Sequence, residues 1–152
     1  MFIYHFFVKI RIYHIFKNLN SGNFDFVLQQ FAPNAEHWFS GQHALSGRRT
    51  TAEKIKLWYL RLSNIFRGIQ FEILQLLVSG TPWNTRVVVE WKDYVPDKNG
   101  SPLPNQGVFM IRLSWGKATE FHVYCDTQKI EKNLMILASQ GVTEATAPPI
   151  EN

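Results

Sequence analysis

The apolar periodicity of this chain changes from mainly helical to mainly strand-like at Gly68, and that change limits the possible folds more than any other feature. Before it, apolar residues recur at helical spacing. Val8, Ile12, Ile15, Phe16 and Leu19 fall at i, i+4, i+7, i+8 and i+11, one face of a helix that Ser21-Gly22 ends. The aromatic segment from Met1 to Val8 reads as the start of that helix. Asn23 can cap a short second helix, with Phe24, Val27, Leu28 and Phe31 on one side and Ala32-Pro33 as its stop. Thr50-Thr-Ala-Glu53 reads as a capping box that opens a third helix. Ile55, Trp58, Tyr59, Leu62, Ile65 and Phe66 carry its period to Arg67-Gly68. Between the second and third helices, Ala35 to Gly41 reads as a short strand and Gly41 to Arg49 as a loop with room for another.

After Gly68 four segments rich in Val, Ile, Phe, Trp and Tyr read as strands: 70–79, 85–94, 107–114 and 117–125. Pro96 to Gly100 turns the second into the third, and Trp115-Gly116 turns the third into the fourth. Residues 126–139 read as a last helical or irregular segment, and residues 140–152 as a mobile tail. The expectation is one domain over residues 1–139, with helices packed on one face of a curved antiparallel sheet, an α+β architecture.

Composition narrows the function. The 152 residues include twelve Phe, five Tyr and five Trp, an aromatic share of 14% that implies a pocket or an interface besides a core. The net charge of +4 is spread without a dense basic run, which argues against nucleic acid and against an anionic membrane surface as partners. The N-terminal apolar stretch is broken by Lys9 and Arg11 and is too short to cross a bilayer. A single cysteine, Cys125, excludes an internal disulfide and fits a reducing, cytoplasmic setting. No Gly-x-Ser-x-Gly elbow, phosphate-binding loop or dinucleotide fingerprint occurs. His37, His43 and His122 lack metal-ligand spacing, so no metal is expected.

The chemically suggestive residues cluster late. Strand alternation gives His122, Tyr124 and Asp126 a common direction, either into a polar pocket or as groups bonded within the structure. Asp126 can be an acid or base against apolar walls, or it can cap the segment that follows. His122 can transfer a proton or bond to a neighbour, and Tyr124 can donate to a developing oxyanion or sit at the edge of the core. His37 alternates with Phe39, and His43 follows in the loop. Glu90 and Arg112 each interrupt an apolar run on neighbouring strands, most simply as a cross-strand pair. Trp58, Tyr59, Trp83 and Trp91 read as apolar wall or core.

The element order, together with Leu19-Asn-Ser-Gly-Asn-Phe-Asp25, Phe31-Ala-Pro-Asn-Ala35, the Gly47 to Glu53 approach to the third helix, Asn84 to Trp91 and Trp115 to His122, resembles the nuclear transport factor 2-like superfamily. The resemblance is closer to its SnoaL-like branch of polyketide cyclases and ketosteroid isomerase relatives. It implies a cone-shaped roll with a pocket between the helices and the concave sheet face. It also implies cofactor-free acid/base chemistry, isomerisation or cyclisation, on a small, largely apolar carbonyl compound. Cyclases of this kind place their carboxylate near Asp126. The isomerase branch places one near residues 36–43, where this chain has no Asp. Proton transfer is therefore expected at Asp126, His122 or His37, with Tyr124 assisting. The expected binding residues are Glu90, Arg112, Trp58, Tyr59, Trp83, Trp91, Phe39 and His43. The expected assembly is a homodimer through the outer sheet face, and the alternative function is ligand binding or protein interaction without catalysis.

Overall fold

Period-2 alternation builds the sheet, and two-residue turns join its third strand to the fourth and its fifth to the sixth. The structure, a computed structural model, describes residues 1–152. Its elements run α1 (Phe2–Asn20), α2 (Phe24–Leu28), β1 (Phe31–Phe39), β2 (Gly47–Arg49), α3 (Ala52–Ile65), β3 (Gln70–Thr81), β4 (Asn84–Pro96), β5 (Pro102–Ser114), β6 (Lys117–Cys125) and α4 (Thr127–Ser139), with a final 3-10 turn at Thr143–Thr146. Six strands form one sheet in the order β2-β1-β6-β5-β4-β3, and only the β1–β6 pair is parallel. The architecture is α+β, with β1 and β2 joining the sheet from before Gly68.

At the β5–β6 turn, Trp115 (φ 49°) and Gly116 (φ 80°) both take the left-handed conformation that lets a two-residue loop match strand twist. The third helix starts one residue later than its sequence signal indicates. Thr51, not Thr50, accepts from the Lys54 amide, which leaves Glu53 outside the reciprocal position, so there is no capping box. Phe31 and Pro33, read as the side and stop of the second helix, belong to β1 instead. Residues 102–106 extend β5 further back than the apolar run suggests.

The C-terminal segment is held rather than free. Ala145 is buried, the Ile150 carbonyl accepts from the Arg49 Nε–H (2.9 Å), and the Pro148 carbonyl accepts from Arg61 (2.7 Å). These bonds tie it to β2 and α3.

The strand register aligns side chains into rows. On the concave face run Leu76, Val89, Phe109, Val123 and Phe39, then Val78, Val87, Ile111, Phe121 and His37, and at the open end Phe71, Asp93 and Asn105. Phe109 is at the centre, with its ring 4.9 Å from that of Phe121, 5.0 Å from Trp91, 5.7 Å from Phe71 and 5.8 Å from Phe16. Burying such rings is the main favourable term in forming the roll.

Candidate functional site

β4 carries Val87, Val89, Trp91, Asp93 and Val95 inward, so a carboxylate sits on an otherwise apolar stripe. Asp93 faces a chamber enclosed by α3, α4 and the sheet. Of its 18 lining residues 15 are hydrophobic, and the other three are Asp93, Asn105 and Asn133, so any polar chemistry there is confined to one end. Asp93 is 7% exposed. Burial disfavours its charge and pushes its carboxyl up to about 7, while the facing Asn105 backbone N–H offsets part of that effect. At neutral pH both protonation states are populated, which suits a group that must take up and return a proton.

The two asparagines are fixed by the backbone around them. Asn105 donates to the Asp126 carbonyl (3.3 Å) and accepts from the Gln106 amide (2.8 Å), and Asn133, from α4, donates to the Pro104 carbonyl (3.2 Å). The Trp91 ring closes the wall by lying over Gly107, where a Cβ would come within 2.7 Å of it. The Trp91 Nε1–H is buried with no partner in the protein. The chamber volume is about 50 Å³, below the roughly 150 Å³ of a cavity that takes one benzene ring.

A second chamber of about 220 Å³ lies between α1, α2 and the other half of the same sheet. Leu19, Tyr59, Phe109 and Phe121 line both and form the partition. The Tyr59 hydroxyl is buried, which holds its ionisation well above the ordinary range and keeps it protonated.

None of the four residues expected to act in catalysis lines either chamber. His122 and Tyr124 do share a face, but it is the outer one. The His122 Nε2–H donates to Glu36 Oε2 (2.8 Å), whose other oxygen meets Arg48 at 2.9 Å, and Trp38 packs edge-on against both His122 and Tyr124. Asp126 lies past the end of β6, where its Oδ1 accepts from the Lys129 amide (3.1 Å) and caps α4, the second of the two readings its sequence position allowed.

His37 does point inward, but it is fully enclosed. Its ring centroid is 4.4 Å from that of Trp58, and it stacks on Phe121 at 5.2 Å. Arg49 Nη1 donates to His37 Nδ1 (2.8 Å), which places the ring proton on Nε2. Burial and then the neighbouring Arg49 hold the imidazole well below its ordinary range, so it is neutral. Arg49, itself 0% exposed, is lowered to about 10 by burial and also donates to the Ser46 and Ile150 carbonyls.

Among the expected binding residues, Phe39, Trp58, Tyr59 and Trp91 line the inner chamber. The others do not. Trp83 is in the β3–β4 turn, exposed beside Trp115, and His43 is held in its loop by the Ser40 carbonyl and the Leu45 amide. Glu90 and Arg112 face outward and are not partners: Glu90 lies opposite Val108, while Arg112 pairs with Glu120 at 3.1 Å. An interruption in a contiguous apolar run points outward when the strand is read with period two. The informative interruption was Asp93, two positions after Trp91 and two before Val95, and that alternation was the signal available for it. Asn105 and Asn133 carried no comparable signal.

A family model described as the SnoaL-like domain matches residues 12–121, most of the chain. The chain belongs to the SnoaL-like family. Solved structures share its fold at low identity. An NTF2-like protein of unknown function from Burkholderia pseudomallei is 17% identical with a TM-score of 0.69, over 80% of this chain and 92% of that one. TerC, co-crystallised with polyporic acid, is 18% identical with a TM-score of 0.68, over 84% and 95%. PrhC from Penicillium brasilianum is 10% identical with a TM-score of 0.71, over 85% and 86%. No curated protein matches significantly in sequence.

Proposed function

We propose that this SnoaL-like protein is a cofactor-free acid/base enzyme, an isomerase or cyclase, and that Asp93 moves the proton. The observation that supports this most directly is a single buried carboxyl at about 7 inside an apolar chamber. A largely apolar carbonyl compound would enter with its acidic C–H toward Asp93. The carboxylate takes the proton, the electron pair moves into the carbonyl to give an enolate, and the protonated Asp93 returns the proton at another carbon. Asn105 and Asn133 are the polar groups at hand to orient the substrate oxygen. A small-molecule ligand in a related fold, polyporic acid bound to TerC, is compatible with this use of the cavity.

A second reading, binding without turnover, draws on the inner volume of about 50 Å³, which is less than a one-ring cavity and admits only a small end of a molecule. Deuterium exchange separates the two. Cyclic ketones, diketones and polyketide-like aromatics are incubated in D2O with wild type and Asp93→Asn, and label at the α-carbon is followed by NMR. Exchange by wild type alone supports Asp93 chemistry; ligand binding by both without exchange supports the carrier reading.

We also propose a homodimer through the outer sheet face, where Leu77, Met110 and Tyr124 are exposed and Trp38 packs against Tyr124. Sedimentation of wild type and Met110→Asp tests it.

A further inference from the structure

The outer chamber is as apolar as the inner one, yet it has a cation at its rim. Its lining includes Val8, Ile12, Phe16, Val27 and Leu113, and its polar side chains include Arg11 and Gln30. Gln30 Oε1 accepts from Arg11 Nη2 (2.7 Å), and the amide end of Gln30 is fixed by the Phe26 carbonyl. Arg11 has no other side-chain bond and forms no ion pair. Four of the five guanidinium N–H groups therefore remain for a ligand. Gly116 leaves room for this arrangement, because a Cβ there would come within 2.5 Å of Arg11 Nη1. The first 24 residues contain Lys9, Arg11 and Lys17 and no Asp or Glu, so no carboxylate of α1 competes for the guanidinium.

We propose that the outer chamber takes the apolar chain of an amphiphile and that Arg11, positioned by Gln30, binds its anionic head. This rests on reading the cavity as a small-molecule site and names the class of molecule: an apolar body ending in a carboxylate or phosphate. The volume of about 220 Å³ exceeds that of a one-ring cavity. A guanidinium fork is complementary to either anion. The partition of Leu19, Tyr59, Phe109 and Phe121 separates this chamber from Asp93, so head-group recognition and proton transfer lie at opposite ends of one apolar core.

Calorimetry with decanoate, decyl phosphate and 1-decanol tests this on wild type, Arg11→Met, Arg11→Lys and Asp93→Asn. In wild type at least one of the two anions is expected to bind roughly tenfold or more tighter than the alcohol. Whichever anion is tighter assigns the head group. Arg11→Met should bring that anion to the level of decanol, Arg11→Lys should retain part of the preference, and Asp93→Asn should leave it unchanged. The proposal is overturned by equal affinity for alcohol and anions in wild type, by undiminished anion binding in Arg11→Met, or by no binding of any of the three. Deuterium exchange that depends on Asp93 would survive such a result, and anion binding at Arg11 would survive a failure of the exchange experiment.

Discussion

The two faces of the same four long strands differ by one position in sequence and by the whole of their chemistry. Phe109 is enclosed by four aromatic rings, while its neighbour Met110 is 42% exposed. Phe121 stacks on His37, while the next residue, His122, meets Glu36 near solvent. Asp93 is pushed up to about 7, whereas Lys92 beside it pairs with Glu72 at 3.3 Å on the surface. Titratable groups on the outer face have water and opposite charges as partners. Those on the concave face are surrounded mainly by hydrocarbon, and there burial is the largest influence on proton affinity.

The comparison can be broken most severely at Asp93. Asp93→Asn should lower the proposed exchange rate by about two to four orders of magnitude, read as label incorporation, whereas Glu36→Gln and His122→Ala on the outer face should leave it within a few-fold. A loss on the outer face equal to that at Asp93 would reverse the assignment. Phe109→Ala should cost about 3–5 kcal/mol in urea unfolding, and Met110→Ala under about 1 kcal/mol. A larger loss for Met110→Ala that shrinks on dilution would show that a second copy covers the outer face.

The pH dependence sharpens the contrast. The folded state holds the Asp93 proton up to about pH 7, while the unfolded chain loses it near pH 4, so this group's contribution to stability falls as pH rises between those values. The full span is about 4 kcal/mol as an upper bound. Asp93→Asn removes it and should therefore be more stable than wild type at pH 8. His37 has the opposite sign. Its folded value is lowered, so its contribution is complete above the unfolded value of about 6.5 and is lost as pH falls below that. Denaturation of Asp93→Asn from pH 8 to pH 5 should show this acid-side loss with the Asp93 slope removed. The smallest effect is expected for Glu36→Gln, under about 1 kcal/mol, and reduced further by salt.

How much was legible follows from what each signal depends on. Helix spacing, the Asn23 cap, the Trp115-Gly116 turn and the four strand runs depend on residues close in sequence, and these elements form, with the end of α2, the start of α3 and the start of β5 displaced. The expectation that His122, Tyr124 and Asp126 share a face holds for the first two, because alternation is local, and not for Asp126, which lies past the end of β6 as the cap of α4. Which face lies toward the helices was not local. It depends on the register of β6 against β5 and β1, which sets His122 beside Met110 and Trp38, in the row facing away from α3. The Glu90–Arg112 pairing failed for the same reason: the register opposes Arg112 to Arg86.

The sequence by itself determined the α+β class, the order of elements and the family, because periodicity, caps and turns act over a few residues. Only the tertiary structure decided that Asp93, not Asp126, lies within the apolar core, that Arg49 is enclosed against His37, and that Arg11 stands at a chamber rim bonded to Gln30 and without an ion pair. Burial and proton affinity are set by the segments that pack around a residue, and those arrive from distant parts of the chain.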